Sequence, residues 1–504
     1  MEREVFPVSQ EEMLMSLFIS ENAPYRCDRG EPGKLGCLFR AGALVALWIC
    51  CLFTFACGGG SSSQTTFHTP TPTPIPIPNP VAPGPAGQGI APDYFGLDIF
   101  DTVLPSFGNH PWPTFPFGAV RLWDSHTSWL QIDGGPTANP EYDFSILDSW
   151  LQLAQQHRQN EVMYTFGQVP VWASSNPNDL TCQHGSWPAG SCDAPSDVAP
   201  DGSGTDQIWQ NFVTAIVNHN NQSATAHITA WEIWNEPTIP AEWNGTVQQL
   251  ARMAQDACKI IRASDPSALI TTPTPVPTAG LPAAAWMTQY IATAQVFSSS
   301  QCPAPAADVI TFHGYLSAAG VTQPEKIIDT VAGMISTLST TGLTNLPIWD
   351  TESDWGKNSD LPDPDLEAAF LARFFLLQYS TGAARLYWYQ YGNTGFGSLL
   401  VNGTLNSAGI AYQQVYDWMV GATLTSPCSQ TGSVWTCHFT KPGGLQELAV
   451  WDASQTCSNG NCTTSGYTPD SVYVKFADLA GNAFSFTAGT SVQIGAKPIL
   501  LLNQ

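Results

Sequence analysis

The sequence predicts an α/β protein in which a (β/α)8 TIM barrel is followed by a C-terminal β-sandwich domain. Between residues 92 and 418, eight short and uniformly apolar runs alternate with longer segments of helical periodicity, the pattern of buried parallel strands joined by helices. No glycine-rich phosphate loop follows the first run, which favours a closed barrel over an open doubly wound sheet. After residue 418 the apolar runs become short, aromatic and β-branched, with turn formers between them.

The predicted barrel strands are, in chain order, YFGLDIF, GAVRLWD, EVMYTFG, ITAWEIWNE, ALITT, DVITFHGY, LPIWDTE and ARLYWYQY. A helix is predicted between the fourth and fifth strands, with Thr246 as its N-cap and Pro266 beyond its end. Further helices are expected at 146–154, between the second and third strands, and at 366–374, before the eighth. In such a barrel, chemistry is expected at the carboxyl ends of the strands. The C-terminal domain, residues 419–504, is predicted to contain the strands SVWTCHFT, QELAVWD, SVYVKFAD, AFSFTAG, SVQIG and PILLL.

The segments before the barrel predict export. Residues 1–40 form an N-terminal extension, and residues 41–57 contain an uncharged run of signal-peptide length that is short for a membrane span. Cys57, followed by GGGSSS, resembles a lipoprotein processing site, whereas a membrane anchor and a cleaved secretory signal are the alternatives. Residues 58–91 form a Gly/Ser/Pro-rich linker that is expected to be extended. We expect a protein tethered to the cell envelope through Cys57 or the 41–56 segment, or else secreted.

Composition limits the partners that this chain is expected to have. The 504 residues carry a formal net charge of −24 at pH 7, which would repel nucleic acid and anionic membrane surfaces. Nucleic-acid binding is therefore not expected, and membrane contact is expected only through the N-terminal anchor. Neither an HExxH motif nor a phosphate loop is present, so no metal or organic cofactor is implied. The sequence does not predict the oligomeric state.

Eight cysteines follow the linker, several of them close together in the sequence. The near neighbours are Cys182 with Cys192, Cys428 with Cys437, and Cys457 with Cys462, which leaves Cys258 and Cys302. An even number in an exported chain favours disulfides, with free thiols as the alternative for some of them. Zinc is disfavoured because no paired CxxC spacing occurs.

Two glutamates mark the predicted carboxyl ends of opposite strands. Asn235 and Glu236 lie where the fourth strand leaves the barrel, and Glu352 ends the seventh strand. Strands four and seven face each other across the barrel, which would bring both carboxyl groups close to one sugar ring. Two glutamates in unequal environments can cleave a glycoside: one stays protonated to donate to the leaving oxygen, and the other stays ionised to attack or to activate water.

The segment WEIWNEP, together with DTESDWG, resembles the large clan of retaining glycoside hydrolases built on (β/α)8 barrels. Within that clan, WEIWNEPTIPAEWNGT, ASDPSALI and ADVITFHGY are most similar to glycoside hydrolase family 39, which includes β-xylosidases and α-L-iduronidases. The resemblance implies that Glu236 is the general acid/base, that Glu352 is the nucleophile, and that Asn235 donates to the sugar 2-hydroxyl. It also implies that the C-terminal domain packs against the barrel as support. The alternative is a separate carbohydrate-binding module with exposed aromatic residues such as Trp435 and Trp451.

Further residues are predicted to surround the two glutamates. Arg121, at the end of the second strand, is a candidate to keep Glu352 ionised, with a plain ion pair as the alternative. Glu232 is expected to be its buried partner. His313 and Tyr315, on the sixth strand, point to the same rim, where related enzymes use such residues to orient the nucleophile and the sugar. For His313 a purely structural role is the alternative.

Aromatic residues at strand ends are candidate sugar platforms, since the C–H faces of sugars stack on indole rings. Trp388, on the eighth strand, is the predicted platform. No role is assigned to the other tryptophans near strand ends, Trp123, Trp172, Trp243 and Trp355. The long connection 175–206 is expected to shape a cleft, and Asp354 is expected to be a loop residue.

These features predict an exported glycoside hydrolase of the β-xylosidase kind that acts with retention on plant or microbial glycans. Its expected partner is an oligo- or polysaccharide substrate. Two alternatives remain at this point: an endo-β-glycanase of the same clan, similar to family 5 cellulases, and a surface protein that binds glycans without cleaving them.

Overall fold

The computed structural model describes residues 89–504, except 100–101, 104–109, 184, 186, 279, 318–319 and 393–394. The N-terminal extension, the 41–57 segment with Cys57, and residues 58–88 of the predicted linker lie outside the described residues. Within the described part of the chain, no helix has the length and the apolar character needed to cross a membrane.

Eight parallel strands form the barrel in the order that the sequence predicts. They are β1 (Phe95–Asp98), β2 (Ala119–Leu122), β3 (Glu161–Thr165), β4 (Ala230–Glu232), β5 (Leu269–Thr271), β6 (Ile310–His313), β7 (Ile348–Ser353) and β8 (Ala383–Trp388). The sheet runs from β5 back to β1 and then through β8 and β7 to β6. A parallel bridge between Thr271 and Val309 connects the two ends of this order. The predicted (β/α)8 barrel is therefore confirmed.

Helices surround the strands. They are α1 (Trp129–Ile132), α2 (Ser145–Gln156), α3 (Gln207–Gln222), α4 (Val247–Ser264), α5 (Ala283–Ala294), α6 (Ile327–Thr341), α7 (Pro364–Thr381) and α8 (Ser407–Met419). Thr246 caps α4, as predicted, by accepting a hydrogen bond from the backbone N–H of Gln249. The helices expected at 146–154 and 366–374 are confirmed as parts of α2 and α7.

Alternate side chains along the strands fill the inside of the barrel. One layer is a buried apolar cluster made by Ala119, Met163, Ala230, Val309, Trp349 and Tyr387. Gly96 on β1 makes room for this layer, since a Cβ atom there would lie 2.4 Å from the ring of Tyr387. Two residues further along β2 and β4 come Arg121 and Glu232, so the apolar layer leads directly to a charged layer at the carboxyl end.

The C-terminal domain is built from short antiparallel strands, as predicted. After the hairpin β9 (Leu400–Val401) and β10 (Thr404–Leu405), which precedes α8, come β11 (Thr423–Leu424), β12 (Ser429–Thr431), β13 (Val434–Lys441), β14 (Leu445–Asp452), β15 (Cys457–Ser458), β16 (Asn461–Cys462), β17 (Ser465–Tyr467), β18 (Lys475–Ala477), β19 (Ala483–Ser485), β20 (Val492–Ile494) and β21 (Ile499–Leu502). The main sheet has the order β11-β13-β14-β21-β18-β19 with β12 beside β13, and β15–β16 and β17–β20 form two small pairs. Val450 and Ile494 pack together between the main sheet and the β17–β20 pair.

The other face of the main sheet packs against the barrel. Trp435 and Trp451 stack with ring centroids 5.9 Å apart and belong to the same buried cluster as the barrel helices. The indole N–H of Trp451 donates to Glu325 Oε1 at 2.9 Å, on the segment before α6. Both tryptophans are buried, so a binding module that uses them as exposed platforms is wrong. Instead, they contribute to the contact between the C-terminal domain and the barrel.

The first described residues are attached next to the end of α8. The backbone N–H of Ile90 donates to Ala422 O, and the N–H of Gly421 donates to Ile90 O, each at 2.8 Å. Because Ile90 comes shortly before the amino end of β1, this attachment lies on the side of the barrel away from the carboxyl ends of the strands.

All eight cysteines in the described part of the chain form disulfides. The pairs are Cys182–Cys192, Cys428–Cys437 and Cys457–Cys462, which join the near neighbours, and Cys258–Cys302, which joins α4 to the segment before β6. The expectation of disulfides from the even number of cysteines is confirmed.

Candidate active site

Glu236 and Glu352 meet at the carboxyl end of the barrel. A carboxylate oxygen of Glu236, one of Glu352 and a ring nitrogen of His313 all lie within 4.8 Å of one another. Both carboxyl groups are largely withdrawn from water, with 7% of each residue exposed. Glu236 lies four positions beyond the end of β4, whereas Glu352 lies within β7.

An irregularity in β7 aims Glu352 into the barrel. Trp349 belongs to the inward-facing apolar layer, so strict alternation would turn Glu352 outward. The register between β6 and β7 shifts after Phe312, so that His313 pairs with Glu352 instead of Thr351. A β-bulge of this kind re-aims a side chain and is frequent next to active sites.

Arg121 is the central cation of the site. Its Nη1 lies 2.6 Å from Glu352 Oε2 and 3.1 Å from Asp98 Oδ1, and its Nε donates to Glu232 Oε2 at 2.8 Å. The residue is fully buried. Arg121 therefore pairs with Glu232, as expected, and also contacts Glu352. Asp98, at the end of β1, is a third partner that the sequence analysis did not identify.

The environments of the buried carboxyl groups differ. Burial raises the pKa of Glu352, whereas the charge of Arg121 and the hydroxyl of Tyr315, which donates to Glu352 Oε1 at 2.7 Å, lower it. Burial raises the pKa of Glu236 to about 7, and this carboxyl has no hydrogen bond from a cation. For Glu232, burial raises the pKa, but the charge of Arg121 and the hydrogen bonds from threonine hydroxyls contribute to an overall lowering. The pKa of Glu352 is raised overall, but the cation beside this carboxyl favours its ionised form, whereas Glu236 keeps its proton close to neutral pH.

His313 contacts the same carboxyl as a neutral ring. Burial lowers the pKa of His313 to about 4, so its 2.7 Å contact with Glu236 Oε1 is a hydrogen bond and not an ion pair. Its Nε2 lies 3.5 Å from Arg121 Nη2, which can only donate. Nε2 is therefore the acceptor, and Nδ1 carries the hydrogen that is donated to Glu236.

Asn235 is held in one orientation. Its Oδ1 accepts a hydrogen bond from Arg121 Nη2 at 2.8 Å, which leaves the amide nitrogen as the donor on the opposite side. Glu242, in the connection after β4, interacts with this amide and accepts a hydrogen bond from Gln168 Nε2 at 3.0 Å. Burial raises the pKa of Glu242 well above its usual range, so it adds a neutral carboxyl to the site.

The prediction that Trp388 is a sugar platform is wrong. The neighbouring residues Tyr387 and Tyr389 face the inside of the barrel, so the side chain of Trp388 points outward. It is 0% exposed, stacks on Phe375 of α7 and donates its indole N–H to Gly397 O at 2.7 Å. A ring buried between a strand and its helix has no face free for a sugar.

Tyr389 reaches the catalytic end of the barrel instead. Its hydroxyl donates to Asp124 Oδ2 at 2.9 Å, just beyond the end of β2. Burial raises the pKa of both groups. Neither residue was identified from the sequence, although Asp124 ends the predicted second strand, the same signal that selected Glu236 and Glu352.

The remaining tryptophans near strand ends differ in exposure. Trp355 and Trp243 are buried in the core, as is most of Trp123. Trp172 is 43% exposed. Asp354, expected in a loop, is fully buried and accepts from the backbone N–H of Gly356 at 2.5 Å.

Glu236, His313 and Glu352 are close enough together to hold a metal ion. The guanidinium of Arg121 already provides a fixed positive charge beside two of them, 2.6 Å from Glu352 and 3.5 Å from His313. A cation placed among the three would be repelled by this group at short range. The set therefore fits proton transfer better than metal binding.

Comparison with known families agrees with this geometry. Residues 186–388 match the family model of Cellulase (glycosyl hydrolase family 5), and this range contains both Glu236 and Glu352. The chain is a glycosidase. The resemblance to the clan of glycoside hydrolases built on (β/α)8 barrels, predicted from the sequence, is confirmed. No curated protein matches the sequence of this glycosidase.

Solved structures share the fold of this glycosidase. A family 39 glycoside hydrolase from Bacteroides cellulosilyticus WH2 aligns with a TM-score of 0.57 and 14% identity over 82% of this chain and 81% of that chain. A glucosidase from Croceicoccus marinus aligns with a TM-score of 0.55 and 14% identity over 83% of this chain and 97% of that chain. A monomeric β-xylosidase from Caulobacter crescentus CB15 aligns with a TM-score of 0.54 and 12% identity over 82% of this chain and 96% of that chain.

Proposed function

We propose that this glycosidase cleaves O-glycosidic bonds with retention of configuration, with Glu236 as general acid/base and Glu352 as nucleophile. The observation that carries the proposal is the approach of their carboxylate oxygens to within 4.8 Å. Retaining enzymes place the two carboxyl groups about 5 to 5.5 Å apart, whereas inverting enzymes need about 6.5 to 9.5 Å to admit a water molecule.

In the first step, the ionised carboxylate of Glu352 attacks the anomeric carbon. The proton of Glu236 passes to the glycosidic oxygen as its bond to that carbon breaks, so the leaving group departs as a neutral alcohol. The hydrogen bond from His313 Nδ1 occupies Glu236 Oε1, which leaves Oε2 to carry this proton. Arg121 and Tyr315 hold Glu352 in the attacking orientation.

In the second step, the ester between Glu352 and the sugar is hydrolysed. Glu236, now ionised, takes a proton from a water molecule, whose oxygen attacks the anomeric carbon and releases the carboxylate of Glu352. Under this proposal the amide nitrogen of Asn235 donates to the sugar 2-hydroxyl, a role supported by the hydrogen bond that engages its oxygen with Arg121.

We propose that the substrate is a plant or microbial glycan and that the enzyme works outside the cell. The similarity in fold to a family 39 enzyme and to a β-xylosidase supports a β-xyloside substrate. The four disulfides support export, because disulfides persist in oxidising compartments. Under this proposal the chain is tethered through Cys57 or residues 41–56, or is secreted.

A second candidate is an endo-acting β-glycanase. The match of residues 186–388 to the family 5 cellulase model favours it. The lengths of the products formed from xylan and from β-glucan distinguish it from an exo-acting xylosidase, since an endo enzyme releases oligosaccharides and an exo enzyme releases single sugars.

The proposal is tested with a panel of 4-nitrophenyl glycosides, with the anomer of the first-formed product followed by NMR. We expect hydrolysis with retention. Glu236→Gln should lose about 10²- to 10⁴-fold in kcat on unactivated glycosides, because the leaving oxygen is no longer protonated. Glu161→Gln is the matched control, as Glu161 begins β3 at the other end of the same barrel and pairs with Arg385. Inversion, or glycan binding without turnover, would contradict the proposal, and the latter result would favour a surface glycan-binding protein.

A further inference from the structure

Strand β7 has one extra residue beside Glu352. In its pairing with β8, Asp350 lies opposite Leu386. Ser353, three positions further along β7, lies opposite Trp388, which is only two positions further along β8. Asp350 and Ser353 therefore mark the two ends of a β-bulge, and Glu352 lies inside it. We propose that the buried carboxyl of Asp350 holds this bulge together and so positions Glu352 for its attack on the sugar, an inference that rests on the proposed function.

A side-chain contact bridges the bulge. Ser353 Oγ lies 2.5 Å from Asp350 Oδ2 and 2.7 Å from Glu352 O, so both acceptors of its hydroxyl belong to the bulged segment. In a regular strand, residues three positions apart point to opposite faces. The extra residue turns the side chains of Asp350 and Ser353 to the same face, which lets them meet. The contact between them therefore stabilises the bulged strand over a regular one.

Asp350 also connects β7 to its neighbours. The backbone N–H of Gly314, directly after β6, donates to Asp350 Oδ1 at 3.0 Å. Nε2 of Gln378, on α7, donates to Asp350 Oδ2. The backbone N–H of Glu352 itself contributes a further hydrogen bond to this carboxyl. One side chain thus links the backbone of the nucleophile to β6 and to α7.

Gly314 permits the close approach of β6 and the bulge. A Cβ atom at this position would lie 2.7 Å from Ser353 Oγ and would clash with the carboxyl of Asp350. The N–H of Gly314 also lies 2.9 Å from Ser353 Oγ. The end of β6, which carries His313 and is followed by Tyr315, is therefore held against the same two side chains that close the bulge.

The groups around Asp350 favour its ionised form. The residue is 0% exposed, and burial raises its pKa to about 7, whereas hydrogen bonds from its side-chain and backbone neighbours lower it. All of these neighbours donate, so they need an acceptor at each carboxyl oxygen. An asparagine has the same shape but would present an NH2 group to donors at one of the two positions. Asp350→Asn therefore breaks contacts of the bulge without emptying the site.

The bulge determines where the carboxylate of Glu352 lies. Its Oε2 is 2.6 Å from Arg121 Nη1, and its Oε1 accepts from the hydroxyl of Tyr315 at 2.7 Å. Both contacts require the inward direction that the bulge gives to this side chain. A misplacement of about 1 Å can lower the rate about 10²-fold. Asp350 itself faces α7 and acts through Glu352, so it is a positioning residue.

Kinetics of Asp350→Asn on the best aryl glycoside test the inference. We expect kcat/KM to fall about 10- to 100-fold, while the inhibition constant of the free sugar changes by less than about 3-fold, because the groups that bind the sugar remain. Ser353→Ala removes one donor and should cost roughly 2- to 10-fold, which keeps the test available if Asp350→Asn does not fold. Glu447→Gln is the control, since Glu447 is 3% exposed but pairs with Lys441 in the C-terminal domain.

Azide rescue separates positioning from a general structural defect. In Glu352→Gly, azide can form the bond to the anomeric carbon that the carboxylate no longer forms, while the aglycone leaves with the proton of Glu236. Because this background has no carboxylate to position, adding Asp350→Asn should leave the azide-dependent rate nearly unchanged. A defect that merely disturbs the fold would lower the rate by the same factor in both backgrounds.

The possible outcomes distinguish this inference from the proposed function. Equal losses in the two backgrounds, or full activity of Asp350→Asn, would overturn the positioning role and leave the proposed function intact. Absence of turnover in the wild type would overturn the proposed function. The positioning role is then decided by crystal structures of the wild type and Asp350→Asn. We expect the 2.6 Å contact between Arg121 Nη1 and Glu352 Oε2 to lengthen in the variant, and an unchanged contact would overturn the inference.

Discussion

The Nδ1 atom of His313 donates a hydrogen bond to Glu236 Oε1 at 2.7 Å while the ring itself is neutral. The histidine fixes the orientation of the carboxyl without adding the positive charge that would favour its ionisation. A protonated ring at the same distance would lower the pKa of Glu236 and remove the acid that the first step needs. Burial of His313 thus helps Glu236 to stay protonated for its role as the acid.

The activity should depend on pH in a bell shape. Because Glu236 must be protonated in the first step and its pKa is about 7, kcat/KM should fall as the pH rises through that value. On the acid side, kcat/KM should fall where Glu352 gains a proton, at a pH raised by its burial. The pH profile of kcat/KM for an aryl glycoside measures both limbs. In Glu236→Gln the alkaline limb should disappear, and its persistence would assign that limb to another group.

The stability of the fold should also depend on Glu236. Its pKa rises from 4.5 in the unfolded chain to about 7 in the folded one, so the folded state binds the proton more tightly. The resulting stabilisation is fully present below pH 4.5 and is lost as the pH rises through about 7. Relative to Glu236→Gln, the wild type should lose about 3 kcal/mol of unfolding free energy between acid pH and about pH 8. Urea unfolding of both proteins at the two pH values tests this, and parallel losses would contradict it.

Removal of Arg121 should destabilise the protein as well as inactivate it. Arg121→Met leaves the carboxylates of Asp98, Glu232 and Glu352 buried without their cation, at a cost of about 3 to 5 kcal/mol. Chemical denaturation measures the change. The control is Lys326→Met, whose surface pair with Asp329 at 3.6 Å should contribute at most about 1 kcal/mol. Equal losses in the two variants would show that the network around Arg121 adds little to stability.

The disulfides should contribute unequally to stability. Cys258 and Cys302 are 44 positions apart, whereas Cys457 and Cys462 are 5 apart. Because the loss of chain entropy grows with the closed loop, replacing the first pair by alanines should cost about 4 kcal/mol and replacing the second about 2 kcal/mol. Thermal unfolding of the two double variants compares them. A larger loss for the short loop would mean that native contacts, and not loop closure, determine the difference.

The sequence predicted the residues whose positions follow from strand ends and failed where a side-chain direction depends on local irregularity. Arg121, Glu236 and Glu352 could be placed because a closed barrel brings all carboxyl strand ends to one side. The prediction for Trp388 was wrong, since adjacent residues of a strand face opposite ways and the inward positions belong to its neighbours. Nothing in the sequence signals the bulge that turns Glu352 inward.

Glu242 and Trp187 were not predicted from the sequence, because both are carried by loops. Glu242 reaches Asn235 through the connection after β4, and Trp187 reaches Trp123 from the middle of a long loop closed by a disulfide. Their positions depend on backbone paths without periodicity, so no spacing rule could place them. Residues at strand ends could be predicted from the sequence, whereas residues carried by long connections could not.

The backbone pairing of Ile90 with Gly421 and Ala422 fixes where the chain enters the barrel. Everything that precedes the barrel in the chain joins it at the base, opposite the opening above Glu236 and Glu352. If that leading part is fixed to a surface, an attachment at the base leaves the opening free to face the medium. Large, insoluble glycans could then be engaged by an immobilised enzyme without first passing between it and the cell.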